Sequence, residues 1–172
     1  MRRRPSLVLS FLPFLLGFAF LSIWPASVSA EQIKATIPAP QTASWWSARH
    51  ARAVARIQQG PVDLLFIGDS ITQGWEEDGR RVWDTFYGRR QAVNLGFNSD
   101  QTDNVLWRLQ HGEIDGITPK LAIVMIGTNN TGQEKDTGKP RNTTFETIEG
   151  VTAVVKGLRA KLPKSRILLL AI

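Results

Sequence analysis

Three short stretches of this chain place small, hydroxylated or carboxamide residues directly after an apolar run. They are Gly68-Asp69-Ser70-Ile71-Thr72, Asn94-Leu95-Gly96 and Gly127-Thr128-Asn129-Asn130. A serine at such a point is either a nucleophile or a turn residue. Glycine, threonine and asparagine after a strand ordinarily make turns. As a nucleophile, Ser70 needs a base to take its proton. The chain has two histidines, His50 and His111, and no cysteine. A disulfide, a thiolate zinc site and a lipid-modified cysteine are therefore excluded.

The elements that must position these residues are legible from hydrophobic pattern. Val62 to Ile67, Ala92 to Leu95, Leu121 to Ile126 and Ile167 to Ile172 are short apolar runs. The first, third and fourth are almost continuously hydrophobic, as parallel strands covered on both faces are. Helical spacing predicts a first helix through Trp46, His50, Ala53, Val54 and Ile57, with Arg49, Arg52 and Arg56 on another face. Val82 to Tyr87 and Thr102 to Gln110 read as helices between strands. Thr143 to Leu162 is the clearest helix, with Phe145, Ile148, Val151, Val155, Leu158 and Leu162 as its expected apolar stripe. Thr143 and Glu146 form its predicted capping box, and Pro163 follows its end. Alternating strands and helices give an α/β fold with a parallel sheet. Ligands in such sheets bind outside the carboxyl ends of the strands. The polar loop 128–142 lies at that edge and is read as a mobile flap.

In this order, the three stretches resemble the SGNH hydrolase superfamily, the GDSL esterases and lipases. GDSIT is similar to its first block, NLGFNSDQT to its second and GTNN to its third. The wider run is most similar to the branch of the platelet-activating-factor acetylhydrolase small subunits and related bacterial enzymes. The resemblance covers about residues 45–172. It implies a three-layer flavodoxin-like sandwich and hydrolysis of small-acyl esters through an acyl-enzyme, without metal or cofactor. It implies Ser70 as nucleophile, with an oxyanion hole made by its own N–H, the N–H of Gly96 and the Asn129 carboxamide. Fixed donors of this kind stabilise the charge that acyl transfer builds on the carbonyl oxygen. The implied substrate is a small-molecule, lipid or carbohydrate ester, and the resemblance is compatible with a homodimer. Asp69 reads as structural, and Asp100 and Asp103 as acids of a first helical turn. Trp75 is a candidate border of the acyl pocket. Phe97-Asn98-Ser99 stands where the family often has an aliphatic residue and two glycines. These bulkier side chains are expected to narrow the acyl pocket and to disturb the Gly96 N–H. A carbohydrate O-deacetylase of the same fold and a non-catalytic binding module are the alternative readings.

The family's base is a histidine preceded three residues earlier by aspartate, and no Asp-x-x-His occurs here. His111 falls at the far end of its helix, roughly 15 Å from the strand ends by helix rise. His50 falls on the packed stripe of the first helix. The chain closes on RILLLAI, a strand after which this fold normally adds one more strand and a helix. The expectation is a truncated domain, its last strand edge exposed, inactive by itself.

Residues 1–30 form a separate unit: Arg2, Arg3 and Arg4, an apolar run from Leu7 to Ile23, and Val28-Ser29-Ala30. This is the layout of a secretory signal cleaved after Ala30, implying a secreted or periplasmic protein. The alternative is an uncleaved anchor over residues 7–24. Residues 31–43, with two prolines and no periodicity, read as a linker to a domain over 44–172. Removing the first thirty residues lowers the net charge from +6 to +3. With no basic stripe interleaved with aromatics, no nucleic-acid partner is expected.

Overall fold

The computed structural model describes residues 32–172, so the leader and its cleavage lie outside the described residues. Four strands, β1 (Leu64–Gly68), β2 (Ala92–Gly96), β3 (Leu121–Met125) and β4 (Arg166–Leu169), form one sheet. Their order is β2-β1-β3-β4, and every pairing is parallel. Five α-helices accompany them: α1 (Ser44–Gln58), α2 (Ser70–Gln73), α3 (Arg80–Phe86), α4 (Thr102–Gln110) and α5 (Thr144–Lys161). This is the expected α/β arrangement. Its register aligns the strand ends: Gly68 lies opposite both Gly96 and Met125, so three strands end level at one edge.

Period-two alternation divides the strands between two layers. Leu65, Ile67, Val93, Leu95, Ala122 and Val124 point into the main core, against Ile57 of α1, Val105 and Leu109 of α4, and Val154 and Leu158 of α5. On the opposite face, Phe66 meets Trp83 at 5.0 Å and Tyr87 at 5.0 Å, with Trp75 at 6.3 Å. Trp75 thus belongs to the packing of α3 on the sheet. The predicted capping box forms, with Thr143 N–H donating to the Glu146 carboxylate and Glu146 N–H to Thr143 Oγ1.

Three expectations change. The stripe of α5 is rotated: Phe145 is 64% and Ile148 56% exposed, while Thr147, Gly150, Val154 and Leu158 are buried. The cause is Gly150. A Cβ there would collide with Thr102 Oγ1 and come within 2.9 Å of the Ala35 carbonyl, so its bare backbone lets α5 close on α4. The segment read as a linker is also packed. Ala35 is buried in a short 3-10 turn, Thr102 Oγ1 donates to its carbonyl at 2.7 Å, and Ala39 N–H donates to Asp103 O at 3.2 Å. The loop 128–142 is tied at its base, where Asn142 N–H donates to Asn130 O at 3.1 Å, and it carries an antiparallel bridge from Gln133 to Pro140.

The outer edge of β4 is exposed and apolar, with Leu168 and Leu169 at 47% and Ile172 at 58%.

Gly150→Ala tests the close approach of α5. Overpacking against backbone is expected to cost about 1–3 kcal/mol, measured as a lower urea midpoint with unchanged slope.

Candidate active site

Asp69 caps α2, its Oδ1 accepting from Ile71 N–H at 2.9 Å and its carbonyl from Gln73 N–H at 2.9 Å. The helix then presses onto the sheet at two glycines. A Cβ on Gly68 would strike Thr72 Oγ1 and the Met125 carbonyl; one on Gly96 would strike Gln73 N and lie 2.6 Å from Thr72 C. Any side chain at either position would lift α2 off the strand ends. Asn94 adds a clamp: its Nδ2 donates to Thr72 O at 2.8 Å, and its Oδ1 accepts from Gly96 N–H at 2.8 Å. Arg49 completes the hold on Gly96, donating from Nε to its carbonyl at 2.8 Å. Ser70 begins the helix, exposed, its hydroxyl and N–H without partners among the described residues.

The three sequence-identified residues therefore emerge at one sheet edge, but their donors differ in state. The Ser70 N–H is open. Asn129 Nδ2 gives one hydrogen to Asp100 O at 2.9 Å and keeps the second. The single hydrogen of Gly96 is spent on Asn94. Asn130, beside Asn129, acts differently. Its side chain accepts from Thr102 N–H at 3.0 Å and donates to Asn142 Oδ1 at 2.9 Å, fastening the flap to the start of α4.

Behind this edge lies a buried charge cluster that sequence reading missed. Asp100 is fully buried and stands ahead of α4, whose first turn holds Asp103 alone of the two acids. Its Oδ2 accepts from Arg108 Nε at 2.9 Å, and its Oδ1 from Trp46 Nε1 and Gln41 Nε2, each at 2.7 Å. Arg108 also donates to Glu113, and all three charged side chains are shielded from solvent. Burial pushes the Asp100 and Glu113 carboxyls above their usual range, and Arg108 opposes this. One guanidinium cannot neutralise two carboxylates, so the upward direction holds for both. The signal in the sequence was Arg108 itself, three residues after Val105 and one before Leu109, on the buried side of α4.

Phe97 joins this cluster. It is fully buried, 3.9 Å beneath the Arg108 guanidinium and 5.7 Å from the Trp46 ring. It points into the interior, so it does not narrow a pocket at Ser70. Ser99 takes the left-handed φ of 61° that glycine ordinarily fills.

Residues 66–172 match the model of the GDSL-like lipase/acylhydrolase family. The chain belongs to this family. Rat platelet-activating factor acetylhydrolase IB subunit alpha2 is 32% identical over 127 residues, covering 74% of this chain and 51% of the relative. The human subunit alpha1 is 31% identical over 149 residues, 84% of this chain and 60% of the relative. A GDSL-like lipase from Bacteroides thetaiotaomicron VPI-5482 superposes with a TM-score of 0.52 at 18% identity, covering 71% of this chain and 57% of that one. That likeness is one of fold. The chain spans about half the length of the rat relative it matches.

In this GDSL-family chain both histidines are absorbed into one aromatic stack between α1 and α4. His50 lies 6.0 Å from Trp46 and 5.1 Å from Trp107; His111 stacks on Trp107 at 3.7 Å. Burial, then Arg108 and His111, hold His50 below its ordinary pKa. Neither histidine hydrogen-bonds to Ser70: His111 Nδ1 meets the Trp107 carbonyl, and His50 Nε2 is buried without a partner.

Arg108→Met strands two buried carboxyls. We expect about 3–5 kcal/mol of lost stability at neutral pH. Without the guanidinium both folded pKa values rise further above the unfolded ones. The native state then holds protons that the unfolded chain has released, so the loss grows as pH rises. Urea midpoints of variant and parent should lie closer at pH 5 than at pH 8.

Proposed function

We propose that the chain is a serine ester hydrolase that acts on small-acyl esters through an acyl-enzyme, with Ser70 as the nucleophile. One observation carries the reading: Ser70 stands exposed on a helix seated by two glycines, its N–H open, level with an Asn129 carboxamide that has a hydrogen to spare. Ser70 Oγ attacks the ester carbonyl, and the oxyanion takes hydrogen bonds from Ser70 N–H and Asn129. Collapse expels the alcohol, which leaves with a proton. Water then adds to the acyl-serine and releases the acid. Release of Asn94 adds the Gly96 N–H as a third donor.

Among the described residues no side chain stands as the base. Ser70 therefore loses its proton to solvent, and turnover by this chain alone is slow. The packing of both histidines in the aromatic stack also favours a second reading, a module that binds esters without cleaving them.

Added imidazole separates the two. With p-nitrophenyl acetate, an imidazole-dependent rate above the Ser70→Ala background is expected, and Asn129→Ala should lower it by about 10²–10³. Rapid turnover without imidazole, lost in Ser70→Ala, sinks the missing-base reading. No Ser70-dependent rate and no acyl-serine by mass spectrometry favours the binding module.

A further inference from the structure

A cleft of about 330 Å³ opens beside the edge strand β2, and neither Ser70 nor Asn129 is among its walls. Arg49, Arg52 and Arg56 of α1 form one side, Arg80, Trp83 and Asp84 of α3 another, and Ala92, Val93 and Asn94 the floor. Spacings of three and four residues put the α1 arginines on one helix face. Two of the four guanidiniums are matched within the cleft. Arg49 binds Glu76 through both terminal nitrogens, at 2.9 and 2.8 Å, and Arg80 Nε binds Asp84 at 3.0 Å. Arg52 and Arg56 pair with no carboxylate among the described residues. The cleft therefore carries four positive groups against two negative ones, Glu76 and Asp84.

Like charges four apart on a helix are mildly destabilising. Here two unmatched arginines follow a third, Arg49, that is already committed. We infer that this cleft binds a compact oxyanion, a carboxylate or phosphate monoester, carried on a ring the size of a hexose. The guanidinium fork matches either anion in a bidentate manner, which a lysine does not. The volume is larger than a bare ion needs and lies at the small end of ligand sites. Trp83 supplies an apolar wall for the ring. The site touches the strand edge that bears Ser70 through two residues: Asn94, which lines the floor and clamps Thr72 and Gly96, and Arg49, which donates to the Gly96 carbonyl. Binding here is independent of whether Ser70 turns over.

The test is calorimetric titration of the full chain in low-salt buffer with glucose 6-phosphate, glucuronate, inorganic phosphate and neutral glucose. Saturable binding of at least one sugar anion with Kd below about 1 mM is expected, with none for glucose. The Arg52→Gln/Arg56→Gln variant, confirmed folded by circular dichroism, should bind at least tenfold more weakly. Preference for glucose 6-phosphate identifies a phosphate site, and preference for glucuronate a carboxylate site. Binding of glucose equal to its anions, no saturable binding of either sugar anion, or unchanged affinity in the double variant overturns the inference.

Discussion

The buried carboxylate of Asp100 is the point on which the arrangement of this molecule turns. Taking a carboxylate out of water costs several kcal/mol even after relaxation. Here three side-chain donors compensate it, each from a different part of the chain: Gln41 ahead of α1, Trp46 within α1 and Arg108 in α4. Its backbone carbonyl meanwhile fixes Asn129 beyond β3. An ion pair in such a setting adds little net stability. What it does is penalise alternatives, since any arrangement that withdraws one donor leaves charge buried and unmatched. The position of an Asn129 donor at the strand edge is thus set by electrostatics in the core behind it.

A second constraint is steric. Gly68 and Gly96 face each other across β1 and β2, and Thr72 settles between them. The closeness of α2 to the sheet puts Ser70 at the level of the strand ends, with its N–H turned outward at a helix start. Asn94 and Arg49 hold Gly96 at its N–H and its carbonyl. In consequence the Gly96 N–H rests in an internal hydrogen bond. The same two residues wall the basic cleft, so the edge of β2 joins two surfaces of quite different chemistry.

The fold was legible where local pattern decides structure. The apolar runs marked all four strands, α4 spans the residues its spacing predicts, and Thr143 with Glu146 marked the start of α5. The three polar blocks were legible as one edge because parallel strands end together. What local pattern could not show was which partner each residue would meet. Phe145 and Ile148 lost the buried face of α5 because Gly150 lets the helix approach closer on another side. Phe97 turned inward because Arg108, in the helix that follows, offers a cation for its ring. The paired asparagines 129 and 130 look alike in sequence, yet one retains a free donor at the edge and the other ties the flap to α4. Residues 32–43 have no periodicity because they are held by individual hydrogen bonds to α4, not by a repeating face.

The proposed acyl transfer needs two things from a protein, stabilisation of negative charge and movement of a proton, and the described residues provide for them unequally. Donors for the charge are fixed by Asp100 and by the two glycines. Among the described residues no group fixed near Ser70 is suited to the proton. Asp69 is its neighbour, but that side chain is buried and committed to capping Ile71 N–H, and burial raises its pKa. His50 and His111 are occupied as aromatic surfaces. Oxyanion donors alone contribute about 10²–10³ and a positioned base about 10²–10⁴ to such reactions. The two contributions reside in separable parts of the architecture. In the proposed reaction the first comes from the Ser70 N–H at the start of α2 and the Asn129 carboxamide beyond β3. The base for Ser70 in that reaction does not come from the residues that build the sheet edge.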